Sequence, residues 1–181
     1  MRSHKERILH RGFTLIEVIA VAAIVGLLAT ISIISYANVK KNARDSKRKL
    51  DLKAIQRALD VYYQDNNAYP STGGGWWGTC VNGGAHPNSG ANGFVPNLAP
   101  AYIGQLPVDP TGINRFPAIC GADNAWACYL YNGNAAGTGY KLIAHCTPEG
   151  QLPAVGDPFY EPNRSTYAIG VCDPFGVGCA W

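Results

Sequence analysis

The first 79 residues hold no cysteine and the first 69 no proline, and from Phe13 to Tyr36 the only charge is Glu17. Each absence excludes something. Without proline, nothing before Asn66-Asn67-Ala68-Tyr69-Pro70 obliges a helix to stop, and Gly26 is the only helix-weakening residue inside the apolar run. Without a C-x-x-C pair, and with His86 and His145 lacking paired ligand spacing, the zinc reading of the cysteines is disfavoured. No G-x-S-x-G, H-E-x-x-H or phosphate-binding loop occurs. His145 and Cys146 are neighbours on a predicted strand, where adjacent side chains face opposite ways, so they make no catalytic pair. An enzyme is not expected, and no cofactor is called for. No repeat of fixed period appears.

What is present is sharply polarised. Residues 38–60 carry eight basic side chains against three acids, whereas residues 61–181 carry three against seven. A basic stem therefore bears an acidic head, which the net charge of +3 conceals. Cys80, Cys120, Cys128, Cys146, Cys172 and Cys179 all lie in that head, and their even number behind an apolar segment favours disulfides in an oxidising compartment. Their pairing stays open, with Cys172 and Cys179 the most plausible local loop.

The run Phe13–Tyr36 would make roughly 36 Å of helix, enough to span a bilayer. Beyond it Val39, Ala43, Leu50, Ala54, Ile55, Ala58, Leu59 and Tyr62 recur at helical spacing with lysines and arginines on the other faces. One helix from Thr14 to about Asn66, on the order of 80 Å long, is expected. Strands are expected at Ala127–Tyr131, Tyr140–Cys146 and within "STYAIGVC", forming a small antiparallel sheet against the apolar face of the helix's second half.

Glu17 is the anomaly. A secretory signal peptide has a shorter apolar core, and a plain anchor has no use for an acid that costs on the order of 3 kcal/mol at mid-membrane. A cut between Gly12 and Phe13 supplies a reason. Phe13 would then carry an amine, Glu17 would lie at i+4 on the same face, and in a helix bundle the pair would fix register.

Arg11-Gly12-Phe13-Thr14-Leu15-Ile16-Glu17 followed by this helix resembles the class III signal of type IV prepilins and type II secretion pseudopilins. The resemblance implies cleavage after Gly12 by a prepilin peptidase, N-methylation of Phe13, and a role for Glu17 in insertion and assembly. It implies an α+β, type IV pilin-like fold: a cleaved basic leader (1–12), a transmembrane and filament-core helix (13–37), its amphipathic continuation (38–67) and a loop-rich, disulfide-containing β head (68–181). The partners it implies are further copies of the chain, minor pilins, the prepilin peptidase, an inner-membrane assembly platform and membrane lipid. "DLKAIQRALDVYYQDNNAYP", Leu106-Pro107-Val108-Asp109-Pro110 and the strand pair are similar to the G-type major pseudopilin. The chain departs from that group in Thr111, where tryptophan is usual, in its six cysteines, in Ile34 in place of a helix proline, and in lacking an acid-rich calcium loop. Calcium is thus suggested by analogy alone.

Simple counting of basic residues would put the C-terminal side in the cytoplasm. The cysteines and the resemblance place the leader there and the head outside. The basic stem then reads as a solvated face balanced by acidic heads of neighbouring subunits, with lipid headgroups or DNA as the sharper alternatives; no aromatic platform supports nucleic acid. Trp76-Trp77 reads as buried packing or as a glycan-contacting patch. Asn163-Arg164-Ser165 matches a glycosylation acceptor, and Asp109, Asp123 and Asp157 read as turn residues. The expectation is a structural subunit of a type IV pilus-like surface filament. The alternatives are a type II secretion pseudopilin and a membrane-anchored adhesin or DNA-uptake protein.

Overall fold

A computed structural model describes residues 13–112, 120 and 127–181. Helix α1 runs Leu15–Asn66, and a four-stranded sheet follows: β1 (Trp77–Gly78), β2 (Cys128–Gly133), β3 (Tyr140–His145) and β4 (Ala168–Cys172). The strands are antiparallel throughout and lie in sequence order. This is the α+β, type IV pilin-like arrangement of one long helix and a small antiparallel sheet. The chain divides into two compact units, Met1–Lys40 and Lys41–Trp181.

The helix ends before proline can act. Asn67 takes a left-handed backbone (φ 52°) and returns its N–H to the Tyr63 carbonyl at 2.8 Å. Asparagine tolerates that conformation better than any other residue with a Cβ, so it serves as the terminating residue. Pro70 comes three residues too late to be the stop, although its carbonyl is used: Tyr131 donates its hydroxyl to it at 2.6 Å.

Within the second unit α1 turns Leu52, Ile55, Ala58 and Leu59 into the core. They meet Tyr129 and Tyr131 of β2, Leu142 and Ala144 of β3, and Ile169 and Val171 of β4. The period-2 alternation of strands places those residues on one sheet face. The other face carries Leu130 and Ile143, covered by the Cys80–Cys128 disulfide and Trp76. All six β2 residues are therefore buried, and Cys128–Tyr131 accordingly read as an unbroken apolar run instead of alternating. Gly133, at the end of β2, abuts the Pro70 carbonyl so closely that a Cβ would collide with it.

Candidate assembly site

At the start of α1, Glu17 and Thr14 are hydrogen-bonded to each other. Thr14 is the residue before the first helical position, and Glu17 Oε2 accepts both its N–H (2.8 Å) and its hydroxyl (2.7 Å). Thr14 Oγ1 in turn accepts the Glu17 N–H at 3.3 Å. This is a reciprocal capping box, in which two otherwise orphaned donors of the helix end are satisfied. The sequence signal for it is the Thr-x-x-Glu spacing ahead of an apolar run, a signal separate from the i+4 relation of Phe13 and Glu17. Phe13 itself is 88 % exposed, and Gly12 lies outside the described residues. From Leu15 to Leu28 the large apolar side chains are exposed on every side of the helix, Leu15, Ile16, Val18, Ile19, Val21, Ile24, Val25 and Leu27 among them. A helix that is apolar all round belongs in lipid or among other helices.

Farther along, an ionic cluster locks the stem to the head. Arg48, fully buried, donates from Nε to Asp109 Oδ2 at 2.7 Å and from Nη2 to Asp109 Oδ1 at 3.0 Å. Its Nη1 reaches Asp45 at 2.6 Å and Glu149 at 3.2 Å. Arg44 binds Glu149 with two nitrogens, at 2.5 and 2.6 Å. Asp45 also accepts the backbone N–H groups of Glu149 and Gly150. Beside them Asp51 pairs with Lys47 and accepts the Tyr129 hydroxyl at 2.9 Å. Burial alone would lower the Arg48 pKa, but the hydrogen bonds and charges of Asp109 and Asp45 outweigh it and raise it. The Arg44 hydrogen bond, reinforced by Arg48, holds Glu149 below its ordinary value.

This cluster corrects the reading of the stem as a wholly solvated face. Two of its arginines and Lys47 are balanced within the same chain. Asp109 keeps its turn role, accepting the Thr111 N–H at 2.9 Å, and adds the buried ion pair. Nothing in the helix periodicity distinguished Arg48 from its exposed neighbours.

The six cysteines form three disulfides, Cys80–Cys128, Cys120–Cys146 and Cys172–Cys179. Trp77 packs on the main core and stacks on His86, ring centroids 3.9 Å apart, while Trp76 covers the second cluster beneath Arg164. Asp157 accepts the Phe159 N–H at 2.8 Å, as a turn residue does, and Asp123 lies outside the described residues. Asn163 donates its amide to the Ala180 and Trp181 carbonyls. Among the described residues no group of three or more His, Cys, Asp or Glu side chains is placed to hold a metal ion. Among them, too, no helix is long and apolar enough to cross a membrane; residues 31–35 of the expected span contribute no described side chains.

Comparison with known proteins agrees with this geometry. Residues 9–33 match the prokaryotic N-terminal methylation motif. The chain is 36% identical over 112 residues to the type II secretion system core protein G of Escherichia coli, covering 56% of this chain and 67% of that one. It is 38% identical over 104 residues to the protein of that name in Pseudomonas aeruginosa, covering 56% and 68%. The corresponding Aeromonas hydrophila protein is 38% identical over 111 residues, with 56% and 67% covered. No solved structure matches the chain. A signal of this type marks a membrane-anchored protein whose body faces away from the cytoplasm. The chain belongs to the type IV prepilin and pseudopilin family, alongside the type II secretion system core protein G.

Proposed function

We propose that this chain is a pseudopilin: a structural subunit, not an enzyme, of a type II secretion system. It is cut after Gly12 by a prepilin peptidase, N-methylated on Phe13, and held by a single pass over residues 13–37 with its head on the extracytoplasmic side. Copies assemble through that helix into a short filament, joined by minor subunits at an inner-membrane platform. The observation that carries the reading is the 36–38% identity to core protein G in three different bacteria. That likeness favours secretion over the surface pilus expected from the cysteine-rich head, since the methylation motif alone supports only the broader family.

Glu17 has two successive partners in this reading. Before the cut its carboxylate caps its own helix through Thr14. After the cut it meets the Phe13 amine of a neighbouring copy and sets the axial offset. Deleting the gene in its host and assaying culture medium tests the proposal. Enzymes normally exported should stay in the periplasm, and the mature protein should begin at N-methylated Phe13. Normal export with loss of surface fimbriae would return the chain to the pilus reading, and a mature chain retaining Met1 would end both.

A further inference from the structure

Strand geometry predicts that His145 and Cys146 face opposite ways, and the fold reverses that expectation. β3 ends at His145, and Cys146 takes a left-handed backbone (φ 57°) while its N–H donates to the Tyr167 carbonyl at 3.0 Å. Residues with a Cβ adopt that conformation at a cost, and such positions gather where a side chain must be aimed. Here Cys146 Sγ lies 3.1 Å from His145 Nδ1.

The sulfur beside that ring belongs to the Cys120–Cys146 disulfide, whose two ends differ in access. Cys146 is buried and Cys120 half-buried. An outside thiolate therefore reaches Cys120 first, and the sulfur it expels is that of Cys146. Exchange is faster when the departing thiol is the more acidic one, and an imidazole within hydrogen-bonding reach stabilises a thiolate. A ring carrying its proton on Nδ1 suffices, whether neutral or cationic. The ring also has a route to solvent. With Trp76 and Arg164 it lines a cavity of about 180 Å³, and Tyr167 packs edge-on against it, ring centroids 5.3 Å apart.

The other two bridges are held differently. Cys80 and Cys128 are both fully buried, covered by Trp76. Cys172 and Cys179 are seven positions apart, against 26 for Cys120 and Cys146, so a broken bridge there recloses over a shorter loop. Asp173 further pins that loop by accepting the N–H groups of Phe175 (3.0 Å) and Val177 (3.1 Å).

We infer that Cys120–Cys146 is an exchange site for the dithiol of a thiol–disulfide oxidoreductase, with His145 assisting the departure of Cys146. The partner's first thiolate attacks Cys120 Sγ, the S–S bond breaks, and its electron pair leaves on Cys146 Sγ, where the His145 Nδ1–H stabilises it. The partner's second thiolate then attacks the mixed disulfide and releases Cys120. The chain ends with two thiols and the partner with a disulfide, the partner's two protons passing to Cys120 and Cys146. The inference holds for a pilus or a secretion subunit alike.

The test takes the purified full-length chain in detergent with all three bridges formed. Reduced thioredoxin serves as the dithiol probe, and samples are quenched in acid, alkylated and peptide-mapped over time. Cys120–Cys146 should open about tenfold faster than either other bridge, and thioredoxin lacking its second cysteine should be trapped on Cys120. H145Q should slow that opening about tenfold and leave the other two rates unchanged. Direction separates chemistry from structure, because a merely structural loss at position 145 would loosen the bridge and speed its opening. Another bridge opening first, trapping on Cys146, or H145Q opening as fast as the parent or faster would each overturn the inference. Should H145Q not fold, the order of opening and the trapped sulfur in the unmodified chain still decide it.

Discussion

Two stretches of the same helix behave as though they were made for different solvents. From Leu15 to Leu28, large apolar side chains are exposed around the whole circumference. From Lys41 to Asn66, one face is buried under a sheet and tied down by arginines, while the rest stays open. Both stretches are regular α-helix, so backbone propensity does not separate them. The difference lies in where the partner is. The second stretch finds its apolar partner inside the chain; the first must find it outside, in lipid or in other copies. The second stretch is thus part of the head's buried core, and the first is not.

Glu17 is where that contrast would break most visibly. If the first stretch is only an anchor, Glu17→Ala should improve it, because an acid leaves the membrane. If it is an assembly element, the same change should cut filament yield on the order of tenfold or more through loss of a desolvated charge partner. Counting filaments by electron microscopy, with membrane insertion measured in parallel, separates the outcomes. Unchanged yield would remove Glu17 from assembly.

The second stretch should fail by unfolding instead. Arg48→Ala leaves Asp109 buried without its partner, a loss of about 3–5 kcal/mol and a melting point lowered by roughly 10 °C for the full chain in detergent. Filament loss in this variant should follow head instability, visible as reduced thermal transitions before assembly is assayed. A variant with normal melting would show that the ionic cluster is peripheral.

Much of this division was legible in the residues. The charge asymmetry and the three longer strands follow from composition and periodicity, because those signals are local, and the Arg11–Glu17 motif is legible through its resemblance to prepilin signals. Arg48 was not legible, since its partners Asp109 and Glu149 lie 61 and 101 residues away and only tertiary contact distinguishes it from Arg44 or Lys47. β1 was missed for a related reason: two residues, Trp77 and Gly78, are too short to show alternation and are defined by pairing with Tyr131 and Leu130. The helix stops at Asn66, where the sequence suggests, but it is Asn67 and not Pro70 that ends it. Thr14 was readable from sequence, its Thr-x-x-Glu spacing being a known helix-start pattern.

The head's disulfides grade the comparison further. Cys80 and Cys128 are 48 residues apart, and Cys172 and Cys179 seven. On loop-closure entropy, removing the first bridge with a double alanine variant should cost about 4 kcal/mol and removing the second about 2.4 kcal/mol. Denaturant titration of both variants checks the order. A larger loss from the shorter bridge would mean that the loop carrying Phe175 contributes native contacts beyond chain constraint.

The smallest effect expected is a pH response within the second stretch. Glu149 ordinarily titrates near 4.5, and the Arg44 hydrogen bond, with Arg48 behind it, holds it lower in the folded chain. The folded state therefore keeps Glu149 ionised where the unfolded state begins to take up a proton. Its contribution is complete above about pH 4.5 and is lost as pH falls from there through the depressed folded value. Asp60 on α1 acts with the opposite sign, because burial raises its pKa above the ordinary 3.8. Between 3.8 and that raised value the folded state binds the extra proton, so stability from this group falls as pH rises. Melting curves of the full chain from pH 3 to 7 should accordingly show a shallower acid limb in Glu149→Gln and a gain near neutrality in Asp60→Asn. Identical limbs in the parent and Glu149→Gln would mean that Arg44 and Arg48 do not favour the charged carboxylate, and the ionic clamp would then rest on Asp45 and Asp109.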